Sequence, residues 1–125
     1  MSQWVVLELK PLTMNHAYNT NRQGRRFLVR EGKRYKEAIS EASRVEFAGQ
    51  IPHNVPLTFE YQIHGPFLTL AGKWRKRYID LDGCAKLLID AALEPQGADD
   101  SLVSKIIAEK IIAVNWSVCF RVSVS

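Results

Sequence analysis

Cysteine is nearly absent from this chain: among 125 residues only Cys84 and Cys119 carry thiols, far apart and each in apolar surroundings. That excludes a disulfide framework and a cysteine metal site, and both thiols read as reduced core residues. The three histidines, His16, His53 and His64, show no metal-ligand spacing, so nothing favours a nitrogen-rich metal centre. No apolar run approaches the roughly 20 residues that a membrane span requires. The start of the chain lacks a charged region before its apolar run, which breaks at Glu8 and Lys10, so no signal peptide is read there. The expectation is a soluble, cytoplasmic protein with no membrane partner. Internal repeats and low-complexity segments are also missing. At this length, with 46% apolar composition, there is room for one core, and a single domain over residues 1–125 is expected.

Positive charge is what the chain has in excess, and its placement is uneven. Seventeen Lys and Arg against 13 Asp and Glu give a net charge of +4. Seven of the cations fall between Arg22 and Lys36, and four more, Lys73, Arg75, Lys76 and Arg77, lie together. Segregated positive charge attracts phosphates and releases their counterions on binding, so a polyanion is the expected partner. A solvated basic face would have the same composition, and charge alone does not decide between them.

Strand and helix signals alternate along the chain. Trp4 to Leu9 is β-rich and stopped by Pro11. From Thr13 to Arg26, Asn, Gly and Arg without apolar periodicity predict a long basic loop. Tyr35, Ala38, Ile39, Ala42 and Val45 recur at helical spacing, predicting a helix from about Glu31 to Phe47 with Gly49 as its stop. Leu57, Phe59, Tyr61 and Ile63 alternate with polar residues, the pattern of a half-buried strand. Gly72 to Arg77 predicts a second basic loop, and Asp82 to Leu93 a second helix. Val103 to Val114 and Trp116 to Val124 read as final strands, expected to form a hairpin turning near Asn115, with a helical alternative for Ser104 to Lys110. The fold class expected is α+β: one two-layer domain with a mixed sheet and two main helices.

The chemistry concentrates around the second helix. Asp80 and Asp82 follow the basic run directly, Lys86 stands four residues after Asp82, and Asp99-Asp100 comes shortly beyond the helix. Positions 82, 86 and 90 are each four apart and share a helical face. A purely structural explanation has Asp82 capping the helix and Lys86 pairing with Asp90 on the surface. It leaves Asp80 unexplained, because a cap needs one carboxylate and a second nearby adds only repulsion. A bound Mg²⁺ would relieve that repulsion, since it takes hard oxygen ligands. Three carboxylates and an ammonium are what holding a divalent cation beside a phosphodiester would require.

The whole pattern, Asp80-Leu81-Asp82, Lys86, an apolar helix and then Asp99-Asp100-Ser101-Leu102-Val103, resembles the RusA family of Holliday-junction resolvases, small homodimeric endonucleases common in bacteriophages and prophages. The likeness extends to the order of strand, proline, Asn-rich basic loop, helix, strand and basic loop, and so spans nearly the whole chain. It implies that Asp80, Asp82 and Asp100 are catalytic carboxylates holding Mg²⁺, with Mn²⁺ as a substitute, and that Lys86 is the essential lysine. Lys110 matches a recurrent lysine of the following strand. It implies further a homodimer that resolves four-way DNA junctions by paired nicks. Arg22, Arg25, Arg26, Lys73, Arg75, Lys76 and Arg77 are the candidate DNA contacts. One departure is Gly83, where many relatives carry Asn. A non-catalytic branched-DNA-binding protein and a broader flap or branch nuclease are the alternatives.

Overall fold

Apolar side chains on every second residue from Leu57 to Ile63 are buried only if something covers one face of that strand, and two helices do so. In the computed structural model, which describes residues 3–75 and 79–125, the chain begins with strand β1 (Val5–Leu7) and a one-turn helix α1 (Met14–Ala17). A short ribbon follows, made of β2 (Tyr18–Thr20) and β3 (Arg26–Leu28). Helix α2 (Arg30–Phe47), strand β4 (Leu57–Gly65), helix α3 (Ala85–Leu93), strand β5 (Val103–Ile112) and strand β6 (Ser117–Val124) complete it. The main sheet has the order β1-β6-β4-β5, with β5 parallel to β4 and the other pairings antiparallel. The expected α+β class with a mixed sheet is what the structure has.

The core lies between the helices and one face of this sheet. Leu57, Phe59, Tyr61 and Ile63 of β4 and Val118, Phe120 and Val122 of β6 meet Tyr35, Ile39 and Phe47 of α2 and the apolar surface of α3. Phe120 is the hinge of that contact, stacked on Phe59 at 5.8 Å and tilted against Phe47 at 6.2 Å. Helix α3 is buried nearly all round, as its composition predicts. Two serines on α2 tie the helices together: Ser40 donates to the Ala91 carbonyl at 2.8 Å and the buried Ser43 to that of Ala92. Val45, assigned by periodicity to the core, is instead exposed, and Ser43 takes the inward position. The stripe that packs on α3 passes through Ser43, whose hydroxyl satisfies a carbonyl there.

Two expectations about connections are corrected. The segment from Thr13 to Arg26 is not a loop; it holds α1 and most of the β2–β3 ribbon. Its turn is built by Asn21, whose side-chain oxygen accepts from the backbone N–H groups of Gln23 and Arg25, and by Gly24 at φ +78°. The last two strands do not form a hairpin, since β4 lies between β5 and β6. The chain leaving β5 crosses the end of β4, where the Ala113 N–H donates to the Gly65 carbonyl at 2.9 Å. Trp116 then lies against Gly65 so closely that a Cβ there would stand only 2.3 Å from two carbons of the indole ring. The missing side chain of Gly65 is what lets the strand pass.

Candidate functional site

The turn before α3 carries the acids, and the core holds it from beneath. The Tyr61 hydroxyl donates to the Leu81 carbonyl at 2.6 Å, and the Cys84 thiol donates to the Asp80 carbonyl at 3.3 Å. Residues Asp82–Cys84 form a 3₁₀ turn, and α3 proper begins at Ala85, three residues later than the apolar pattern predicts. The backbone of this turn is fixed while the carboxylates of Asp80 and Asp82 face solvent. Neither engages in a hydrogen bond or ion pair among the described residues, and the cap positions Leu81 and Cys84 make no side-chain cap bond. The capping explanation of Asp82 therefore finds no capping contact. Gly83 packs tightly here: a Cβ would stand 3.3 Å from that of Asp80 and 3.5 Å from Thr13 Cγ2. An Asn in its place would press directly on Asp80.

Across the cleft, Asp100 begins a 3₁₀ turn (Asp100–Leu102) leading into β5, with Asp99 as its N-cap accepting from the Ser101 N–H at 3.0 Å. Asp99 is thus the structural member of the acid pair, and Asp100 is free to point elsewhere. Its carboxylate meets the Lys86 ammonium, which also lies 3.3 Å from Asp90 on the next turn of α3. Those hydrogen bonds raise the Lys86 pKa, the Asp100 bond contributing most. The same bond holds the Asp100 carboxyl below its usual range. Burial, the largest influence on Asp90, raises its carboxyl. Asp82, Lys86 and Asp100 line one cleft of about 290 Å³ with Ala85, Ile89, Val103 and Ile106.

The structure therefore brings together Asp82, Asp100 and Lys86, with Asp80 two residues upstream and outside the lining of that cleft. Among the described residues, no three His, Cys, Asp or Glu side chains come close enough to hold a metal ion by themselves. Lys110 points inward from β5, with its ammonium over the rings of Phe67 at 5.2 Å and Trp74 at 5.8 Å, and it acts electrostatically on Cys84 below the acid turn. Phe67, whose size alone makes it a candidate for a dimer surface, is buried and sandwiched between Trp74 and Trp116. Trp74 covers it while remaining half exposed. Spacing along the sequence puts Asp82, Lys86 and Asp90 on one helical face. Asp100 reaches Lys86 only through the fold.

One of the described basic segments attaches to the acid turn. Helix α1 packs on it, and the ribbon carrying Arg22, Arg25 and Arg26 extends directly from α1. Arg26 stacks over Tyr18 at 5.0 Å, and the arginine side chains are otherwise exposed. Lys73 and Arg75 sit on a tight loop closed by the Leu68–Trp74 bridge and by the Thr69 N–H donating to the Lys73 carbonyl at 2.7 Å. Lys76 and Arg77 lie outside the described residues. Among the described residues no helix is long and apolar enough to cross a membrane.

Burial governs the chemistry of the thiols. Cys84 is fully buried and Cys119 nearly so. Burial is the largest effect pushing the Cys84 thiol up to about 12, with Lys110 opposing and Asp80 and Asp82 adding to it. Thiolates, not thiols, attack disulfide reagents. At pH 8 the native protein is expected to show no rapid labelling by a chromogenic disulfide reagent, and two reactive thiols after denaturation. A fast-reacting equivalent in the native state would contradict the packing around these residues.

Comparison with known proteins places this arrangement in a wider group. The family model described as Endodeoxyribonuclease RusA matches residues 8–123. A search of curated proteins returned no match.

Proposed function

Because the chain belongs to the RusA endodeoxyribonuclease family, a family of nucleases acting on DNA junctions, we propose that it is a Mg²⁺-dependent resolvase that nicks opposed strands of a four-way junction as a homodimer. The observation that carries this reading is the cleft in which Asp82, Asp100 and Lys86 converge. Asp82 is exposed without a partner among the described residues, and Asp100 shares its carboxylate with the Lys86 ammonium, which leaves oxygen donors open at the cleft. The donor set fits Mg²⁺, which keeps several waters and takes one or two carboxylates in place of a complete protein cage. Asp82 and Asp100 would hold it, with Asp80 close enough along the chain to accept one of its waters. Mn²⁺, with the same preference for oxygen ligands, would substitute. Bound there, the ion supplies Lewis acidity toward an attacking water and toward the scissile phosphate.

The chain's own residues do the rest. Lys86 presents a compact charge at the cleft where negative charge grows in the transition state. Arg22, Arg25 and Arg26 on the ribbon, with Lys73 and Arg75 on the aromatic-backed loop, contact backbone phosphates on either side and contribute sequence-independent affinity. A C2 dimer presents two identical sites to two opposed strands. The outer edge of β5, with Ile107 and Ile112 exposed, is apolar surface available to such a dimer.

A labelled synthetic four-way junction, titrated with Mg²⁺ beside a linear duplex, a Y-fork and a flap, tests the proposal. Paired nicks on opposed strands of the junction, dependent on Mg²⁺ and absent from the duplex, are expected. Binding without cleavage at every Mg²⁺ concentration would leave a non-catalytic junction binder. Equal cleavage of forks and flaps would make the protein a general branch nuclease. A monomer at micromolar concentration would count against the paired mechanism.

A further inference from the structure

Lys86 has two carboxylates within reach, and they come from different elements. Its ammonium contacts Asp100 from the turn ahead of β5, and Asp90 Oδ1 lies 3.3 Å away on the same helix. Asp100 is also a carboxylate that the proposed function assigns to the divalent cation. An ammonium and a divalent cation on one carboxylate repel at contact distance, so filling the site weakens the hold of Asp100 on Lys86. Asp90 offers the ammonium a second carboxylate one turn along its own helix. It is half buried and lines an adjoining cleft with Lys36, Glu94, Asp99 and Asp100, the last of which is common to both clefts, and there Lys36 is already held by Glu94 at 2.8 Å. The carboxylate of Asp90 is therefore left to Lys86.

We propose that Asp90 is a positioning residue: it retains the Lys86 ammonium at the cleft when Asp100 passes to the cation, keeping the lysine facing the phosphate and out of competition for the metal. The inference rests on the proposed function. With Asp90 neutralised, Asp100 becomes the only carboxylate left to Lys86 in this cluster, and the cation must displace a more firmly held ammonium. An acid contributing only its charge to the general field would act on cation binding whether or not Lys86 were present, and that difference is measurable.

The test is Mn²⁺ binding by the full chain without DNA, followed by the loss of the free-ion electron spin resonance signal. It compares the wild type, Asp90→Asn, Asp90→Glu, Lys86→Met, the Asp90→Asn/Lys86→Met double variant, and Asp82→Asn. Asp90→Asn is expected to weaken Mn²⁺ binding roughly five-fold, the scale of one ion pair, and Asp90→Glu to restore it to within about two-fold. In the Lys86→Met background the same Asp90→Asn change is expected to have no effect, because the competitor is gone. Equal weakening in both backgrounds, or none in either, would overturn the positioning role. If Asp82→Asn binds Mn²⁺ as tightly as the wild type, or if the wild type binds none, the metal-site reading fails and takes this inference with it. If Asp82 matters and the cycle is additive, the inference alone falls.

Discussion

Asp82→Asn is expected to reduce junction cleavage about a thousand-fold or more, on the scale of removing one electrostatic element from a preorganised site. Junction affinity measured in Ca²⁺ should change little. The structure explains why the two effects separate. Asp82 is exposed, caps no helix, and has no hydrogen-bond partner among the described residues, so the isosteric amide breaks no contact, and stability should stay within about 0.5 kcal/mol. Its backbone is set by Tyr61 and Cys84 from below, which keeps the turn in place whatever the side chain carries. On the proposed reading the affinity for DNA would come from the ribbon and the loop, through phosphate contacts. What the substitution removes is a charged carboxylate at the cleft shared with Asp100 and Lys86, the group proposed to hold the cation. Circular dichroism, junction binding and single-turnover cleavage on the same preparation make the comparison. A variant that cleaves like the wild type would return Asp82 to an ordinary solvated acid and leave the family's reaction to other residues.

Gly65→Val is expected to be the most damaging small substitution to the fold. A Cβ at this position would stand only 2.3 Å from two carbons of the Trp116 ring, and the branched side chain of valine adds two more methyl groups to the clash. Overpacking of this kind costs about 1–3 kcal/mol, occasionally more, which for a domain of this size corresponds to a melting-temperature drop on the order of 10 °C. The crossing cannot easily relax, because Trp116 is wedged edge-on against Phe67 at 5.5 Å and carries the Lys10 ammonium over its face at 5.4 Å. Thermal unfolding of Gly65→Val, Trp116→Ala and the double variant checks the cause: removing the indole should recover part of the loss. Simple additivity would mean that the damage lies in the backbone of β4 and not in the ring contact.

Elements whose signals are local are legible in the sequence. The alternation of Leu57 to Ile63 identifies the central strand, and the apolar surface of residues 84–93, interrupted only by Lys86 and Asp90, identifies a buried helix, because burial preferences repeat at the period of the backbone itself. The nearness of Asp80, Asp82 and Lys86 is legible for a similar reason, since they stand at short spacings at the start of that helix. Other features are not, and each depends on residues distant in sequence. The ribbon of β2 and β3 lacks apolar periodicity because it is mostly exposed, and it is ordered by the Asn21 turn and by Tyr18 and Leu28 lying against the core. Ser43 is a polar residue on the inward stripe of α2, and only the Ala92 carbonyl opposite it accounts for its place there.

By itself, then, the sequence determined which residues could be buried, which apolar helix the acids would flank, and that Asp80 and Asp82 would stand close to Lys86. Tertiary structure alone decided that β6 enters the sheet between β1 and β4, that Gly65 is the point of crossing, and that Lys86 stands between Asp90 and Asp100. The physical reason is range. Side-chain spacing within one element fixes what that element exposes. A carboxylate fourteen residues from a lysine meets it only after the core between α3 and the sheet has fixed where both backbones run.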